Sequence, residues 1–150
     1  MAEETNNDTL VDNLISEDIL KSENLINAFR KIDRKDFVLL NEDDAYAINK
    51  NLKIGYGQTL SEALVIAFML ETLDLKETNK VLDIGSGSGY TTALISQAIG
   101  RIGYVFGLDC VPALVNFGKE NLKKYEIYNA FISKASYDLG VKRKTFDRIL

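Results

Sequence analysis

No histidine occurs among the 150 residues, and cysteine and proline occur once each. Without histidine the chain lacks the commonest general base and the commonest metal ligand at neutral pH, so no metal site is expected. The lone Cys110 excludes an internal disulfide and gives no sign of an oxidising compartment, which makes the cytoplasm the expected location. A basic excess is missing too: 18 Lys and Arg against 22 Asp and Glu leave a formal charge of -4 and a pI near 4.9. Proteins that grip phosphate backbones by charge need a basic face, so nucleic acid is not an expected partner. Lys123, Lys124, Lys142 and Lys144 lie among or near acids and read as a solvated face. Long apolar runs are also absent. The longest, Ala63 to Leu70, cannot span a bilayer, and Met1 to Asn7 is acidic and polar rather than a targeting leader.

What is present, 46% hydrophobic and 27% charged residues, suffices for one buried core and one globular unit over residues 1–150. Asp8 reads as the cap of a first helix carrying Leu10, Val11, Leu14 and Ile15. Ser22 reads as the cap of a second, with Leu25, Ile26, Phe29 and Ile32 on one stripe and a charged exit at Arg34, Lys35 and Asp36. Asn41 to Leu60 reads as a loop with turns at Gly55 and Gly57. Ser61 then opens a helix that is apolar nearly all round and is expected to be buried.

From Lys80 the character changes. Lys80 to Ile84, Tyr104 to Leu108 and Ala130 to Ile132 read as strands, and Asp147 to Leu150 as the start of a fourth. Helices are predicted from about Tyr90 to Ala98, with Gly100 as left-handed cap, and after Pro112. The alternation predicts a Rossmann-like, doubly wound, mostly parallel sheet. Residues 8–75 would form a helical cover and substrate loop, and residues 76–150 the first half of the sheet, with a soft boundary near Leu75 to Thr78.

The turn Asp83-Ile84-Gly85-Ser86-Gly87-Ser88-Gly89-Tyr90 lets the backbone pass close to a ligand between a strand end and a helix start; it could also be a tight connection with no ligand. Tyr90 stands where a dinucleotide fingerprint wants glycine or alanine, which disfavours NAD. Asp109, about 20 residues past the turn, is placed to accept from ribose hydroxyls or to cap the helix before Pro112. Asp83 either orders the turn alone or also favours a cationic ligand.

Ile54-Gly55-Tyr56-Gly57-Gln58-Thr59-Leu60-Ser61 resembles the signature loop of the protein-L-isoaspartate O-methyltransferases, and Val81 to Tyr90 resembles their cofactor motif. Ala28 to Val38 is similar to their N-terminal helix and its exit. The resemblance implies a class I methyltransferase fold that uses S-adenosyl-L-methionine to methylate the free carboxylate of isoaspartyl residues in damaged proteins. It places Ser61 and Thr59 in the catalytic role and Gln58 and Tyr56 at the substrate. Asp83, Gly85, Ser86, Gly87, Gly89 and Asp109 would hold the cofactor. The substrate carboxylate is ionised at neutral pH, so the transfer needs no general base, and a chain without histidine can perform it. The sequence departs from the family pattern at Glu62 and Ala63, where glutamine and proline are usual, and at Lys134-Ala135-Ser136, where an acid usually reads the adenine. The family's later strands are expected to be missing, which suggests a truncated chain. A methyltransferase for RNA or a small molecule, or a non-catalytic remnant, are the alternatives.

Overall fold

A computed structural model describes residues 5–39, 44–138, 140–142 and 144–150. The first helix, α1 (Asn7–Ser16), buries Leu10, Val11 and Leu14. Its cap is Asn6, whose Oδ1 accepts from the Thr9 amide at 3.0 Å, so the cap lies two residues before the expected Asp8. Asp8 sits in the first turn, where its charge suits the helix dipole, and it pairs with Arg30 at 2.9 Å. Ser22 does precede α2 (Glu23–Lys31), but its hydroxyl makes no cap. It donates instead to Glu71 at 2.5 Å, and Glu71 also accepts from the Ser22 and Lys21 amides at 2.7 Å each. A carboxylate far along the chain therefore satisfies donors ahead of this helix.

After a 3-10 turn at Arg34–Phe37 the chain reaches the stretch expected as a loop. Residues 41–43 of that stretch lie outside the described residues. The remainder contains an antiparallel hairpin, β1 (Leu52–Gly55) and β2 (Gln58–Leu60). Tyr56 and Gly57 make its turn, with φ of +54° and +71°, the pair of left-handed residues that a tight hairpin turn requires. Strands this short show too few alternations to register in sequence, and Lys53, Gln58 and Thr59 face solvent. The helix expected to open at Ser61 is α3 (Ala63–Thr72), with Glu62 at its N-cap. It buries Ala63, Ile66, Ala67 and Leu70, whereas Phe68 is 65% exposed, so apolar composition here does not mean burial on every side.

The sheet follows the sequence closely: β3 (Lys80–Ile84), β4 (Tyr104–Asp109), β5 (Ala130–Lys134) and β6 (Arg148–Ile149). All pairings are parallel, in the order β5-β4-β3-β6. The crossover helices are α4 (Tyr90–Ala98) and α5 (Pro112–Lys124), with Pro112 in the first turn and Gly100 at φ +69° just past the end of α4. Both helices cover the face carrying Gly107 and Ile132. The return to β6 passes the opposite face, where Lys144 lies 4.9 Å from the Phe106 ring centroid. The strand order reverses beside β3, the kind of switch point at which a doubly wound α/β sheet opens a crevice.

One apolar cluster runs from Leu10 through Phe29, Ile66 and Val81 to Ile132 and binds the helices to the sheet. Aromatic rings link its parts: Phe37 lies 5.3 Å from Tyr90 and 5.7 Å from Tyr125, and Phe29 lies 6.2 Å from Tyr90. No described helix is long and apolar enough to cross a membrane.

Candidate functional site

The turn after β3 is held in left-handed conformations at Gly85, Gly87 and Gly89, with φ of +84°, +53° and +89°. Gly85 and Ser86 both donate to the Leu108 carbonyl, at 2.7 and 2.9 Å, and Gly89 donates to the Ser86 carbonyl at 2.8 Å. Helix α5 braces the turn from behind. A Cβ on Gly89 would come within 3.1 Å of the Gly118 Cα, and Asn121 donates to the Ser88 carbonyl at 2.9 Å. Gly87 donates to Asp109 at 2.8 Å, so four of the turn's amides already have partners. A dinucleotide pyrophosphate needs such donors free. The turn thus suits a ligand that packs on it without an anionic bridge.

Its two acids do different work. Asp83 is buried and accepts from Thr91 at 2.8 Å and Thr92 at 2.5 Å, which fixes the first turn of α4 to β3. Burial pushes its carboxyl above the ordinary carboxylate range, and the charge of Asp109 adds to this, against the pull of the two threonines. Asp109, at the end of β4, accepts from Gly87 through Oδ2 and from Val111 through Oδ1, both at 2.8 Å. A carboxylate has room for further donors beyond these two, so the contacts leave capacity for ligand hydroxyls.

A cavity of about 250 Å³ opens over the ends of the strands, lined by Ile54, Gln58 and Thr59 from the hairpin and by Gly85, Gly87 and Asp109 from the sheet. Leu108, Leu114 and Ala135 add an apolar wall, and Cys110 lies at its edge. The hairpin reaches the turn through Ile54, whose Cδ1 would lie 3.1 Å from a Cβ on Gly87. Five of the residues singled out in the sequence therefore meet: Gln58, Thr59, Gly85, Gly87 and Asp109. Asp83, Ser86 and Gly89 are buried supports behind the cavity. Tyr56 stands at the hairpin tip, 65% exposed, and Ser61 is exposed at the hairpin root, outside the cavity lining.

Several contributors escaped the sequence reading. Gly118 had a signal, since glycine inside a helix is unfavourable without a packing reason; a Cβ there would meet the Ile132 Cδ1 at 2.7 Å. Gly107 is similar, with Thr92 Oγ1 at 2.9 Å from such a Cβ. Arg34, read as part of a charged exit, is completely buried. Its Nη2 donates to the Ser61 carbonyl at 2.7 Å, and its guanidinium lies 5.4 Å from the Tyr90 ring centroid. Burial draws the Arg34 pKa below its ordinary value, with Tyr90 opposing, and pushes the Tyr90 phenol up to about 12. Nothing in the local sequence separates Arg34 from its exposed neighbour Lys35.

The family model for protein-L-isoaspartate(D-aspartate) O-methyltransferases matches residues 4–150. A protein-L-isoaspartate O-methyltransferase of Methanosarcina mazei is 36% identical over 118 residues, which are 79% of this chain and 49% of that protein. One from Thermosipho melanesiensis is 39% identical over 108 residues, 72% of this chain and 54% of that protein. The chain thus spans about half the length of these curated relatives. Among solved structures, a Plasmodium falciparum protein-L-isoaspartate O-methyltransferase in complex with S-adenosyl-L-homocysteine superposes with a TM-score of 0.83 at 29% identity, covering 97% of this chain and 72% of that one.

Proposed function

The chain belongs to the protein-L-isoaspartate(D-aspartate) O-methyltransferase family, and on that premise we propose that it transfers a methyl group from S-adenosyl-L-methionine to isoaspartyl carboxylates in damaged proteins. The observation that carries this reading is the shared cavity, in which Gln58 and Thr59 face Gly85, Gly87 and Asp109. The residues fit the methyl donor. Open space beside Gly85 admits close approach, Asp109 can receive ribose hydroxyls, and Leu108, Leu114 and Ala135 offer an apolar slot for a base. Asp83 would support the turn and place negative charge near a cationic ligand.

When bound, the donor supplies a methyl group on a sulfonium. Transfer forms the bond from a carboxylate oxygen to that methyl carbon and breaks the sulfur–methyl bond, leaving a methyl ester and S-adenosyl-L-homocysteine. The protein's share is alignment: Ser61 and Thr59 offer hydroxyl donors to the substrate carboxylate, Gln58 and Tyr56 border its chain, and the hairpin limits water. Residues 8–75 would form the substrate side and residues 76–150 the cofactor side of one working unit. The single exposed Cys110 suits a reducing compartment such as the cytoplasm.

The deciding assay is transfer of labelled methyl from S-adenosyl-L-methionine to an isoaspartyl peptide and to its normal aspartyl twin. Label on the isoaspartyl peptide alone is the expected result. Ser61→Ala should lower the rate about tenfold to a hundredfold, the worth of one charge-assisted hydrogen bond at about 1.5–3 kcal/mol. Cofactor binding with no transfer to either peptide would overturn the assigned substrate.

A further inference from the structure

Arg34 heads the large side chains that have no contact with solvent. A guanidinium keeps its charge in proteins, so enclosing one is costly unless its donors are used. Nη2 donates to the Ser61 carbonyl at 2.7 Å and to the Lys50 carbonyl at 3.4 Å. Lys50 stands just before β1 and Ser61 just after β2, so one group holds both roots of the hairpin. Its other neighbour is Tyr90, which follows Gly89 and begins α4. Nε and Nη1 lie buried with no hydrogen-bond partner, which a methionine filling the same space would avoid. Packing alone therefore does not account for an arginine here.

Arg34 is itself anchored on a rigid frame. Its amide donates to Asn7 Oδ1 at 3.3 Å, and Asp33 before it caps the 3-10 turn by accepting from Lys35 at 2.9 Å. The Asp33 amide in turn donates to the Tyr125 hydroxyl at 3.0 Å, at the end of α5. The hairpin is two short strands with an irregularity between Lys53 and Gly55, seated on the core only through Leu52, Ile54 and Leu60, and two strands alone are marginal in water, so its height depends on what holds its roots.

We propose that Arg34 is a positioning residue that sets the hairpin at a fixed height over the glycine turn, and so aligns Ser61, Thr59 and Gln58 with the methyl donor. This rests on the methyltransferase reading. A displacement of about 1 Å between reacting groups can cost on the order of a hundredfold in rate, so a loosened hairpin shows first in turnover.

The experiment compares Arg34→Lys and Arg34→Met with the wild-type chain in three measurements. These are kcat and KM for an isoaspartyl peptide, S-adenosyl-L-homocysteine affinity by calorimetry, and amide hydrogen exchange. The expected result is kcat reduced about tenfold to a hundredfold, less in the lysine variant than in the methionine one, with cofactor affinity within about threefold of wild type. Exchange should quicken over residues 52–61 and stay unchanged in α4. If neither variant folds, Asn7→Ala, which removes the acceptor of the Arg34 amide together with the Asn7 bonds to the Phe29, Arg30 and Ile32 carbonyls, is read by the same exchange measurement. Unchanged hairpin exchange in a folded variant overturns the proposal, as does loss of turnover and cofactor affinity by the same factor. A wild-type chain that binds cofactor but methylates no isoaspartyl peptide ends the functional reading alone, and the hairpin exchange still decides the role of Arg34.

Discussion

Asp83 and Asp109 lie at the C-terminal ends of adjacent parallel strands, the first one residue before its strand's last, yet one is enclosed between threonines and the other lines the cavity. Because the folded pKa of Asp83 lies above the ordinary 3.8, the folded chain holds a proton that the unfolded chain has already released. The contribution to stability is full below that ordinary value and is lost as pH rises through the folded one. Asp83→Asn keeps an acceptor for both threonines and removes the charge. The variant should melt like the wild type near pH 4 and at equal or higher temperature near pH 7, the gap widening with pH. A gap that narrows instead would rule out the burial argument. Asp36 has the opposite sign: burial opposes its charge, but bonds from Lys124 and Tyr125 outweigh that and hold its pKa low, so its contribution is lost as pH falls. The comparison with Asp83→Asn cancels such effects. At Asp109, replacement by alanine leaves the Gly87 and Val111 amides without acceptors, and affinity for S-adenosyl-L-homocysteine should drop at least tenfold in calorimetry.

Helix α5 and the glycine turn touch through Gly118 and Gly89, and this contact sets how closely the crossover helix lies on the sheet. Gly118→Ala places a methyl 2.7 Å from Ile132 Cδ1 and 3.4 Å from the Ser88 carbonyl carbon. The side chain of Ile132 can shift, whereas the Ser88 backbone is held by Asn121. We expect a loss of about 1–3 kcal/mol in denaturant unfolding, together with weaker cofactor binding. A variant as stable as wild type would mean that the helix moves freely. At the other end of the chain, Asn6→Ala should cost about 1 kcal/mol, because the Thr9 amide loses its acceptor.

Across the sheet as a whole, Phe131, Phe106, Leu82 and Ile149 form one row on the face away from α4 and α5. Phe131 on β5 is 52% and Ile149 on β6 is 59% exposed, while Leu82 between them is buried, so each outer strand of the sheet presents an exposed apolar side chain. Concentration-dependent association in sedimentation should therefore be reduced by Phe131→Lys combined with Ile149→Lys, while cofactor affinity is retained because neither residue lines the cavity. Association unchanged by this double substitution would show that these two exposed side chains are not the contact.

Local patterning alone placed parallel strands at 80–84, 104–108 and 130–132, their crossover helices and the glycine turn; the structure extends the last two strands to Asp109 and Lys134. These rest on local signals: continuous apolar runs, glycine where φ is positive, and Pro112 at a helix start. The sequence also singled out Gln58, Thr59 and Asp109, through the resemblance and the spacing. Only the tertiary structure decided that residues 52–60 pair as a hairpin, that Glu71 rather than Ser22 serves the approach to α2, and that Arg34 lies inside while Lys35 lies outside. The physical reason is the range of the forces. Dihedral preference and periodicity act within a few residues, whereas the burial of a charge depends on carbonyls and rings brought up from positions 50, 61 and 90.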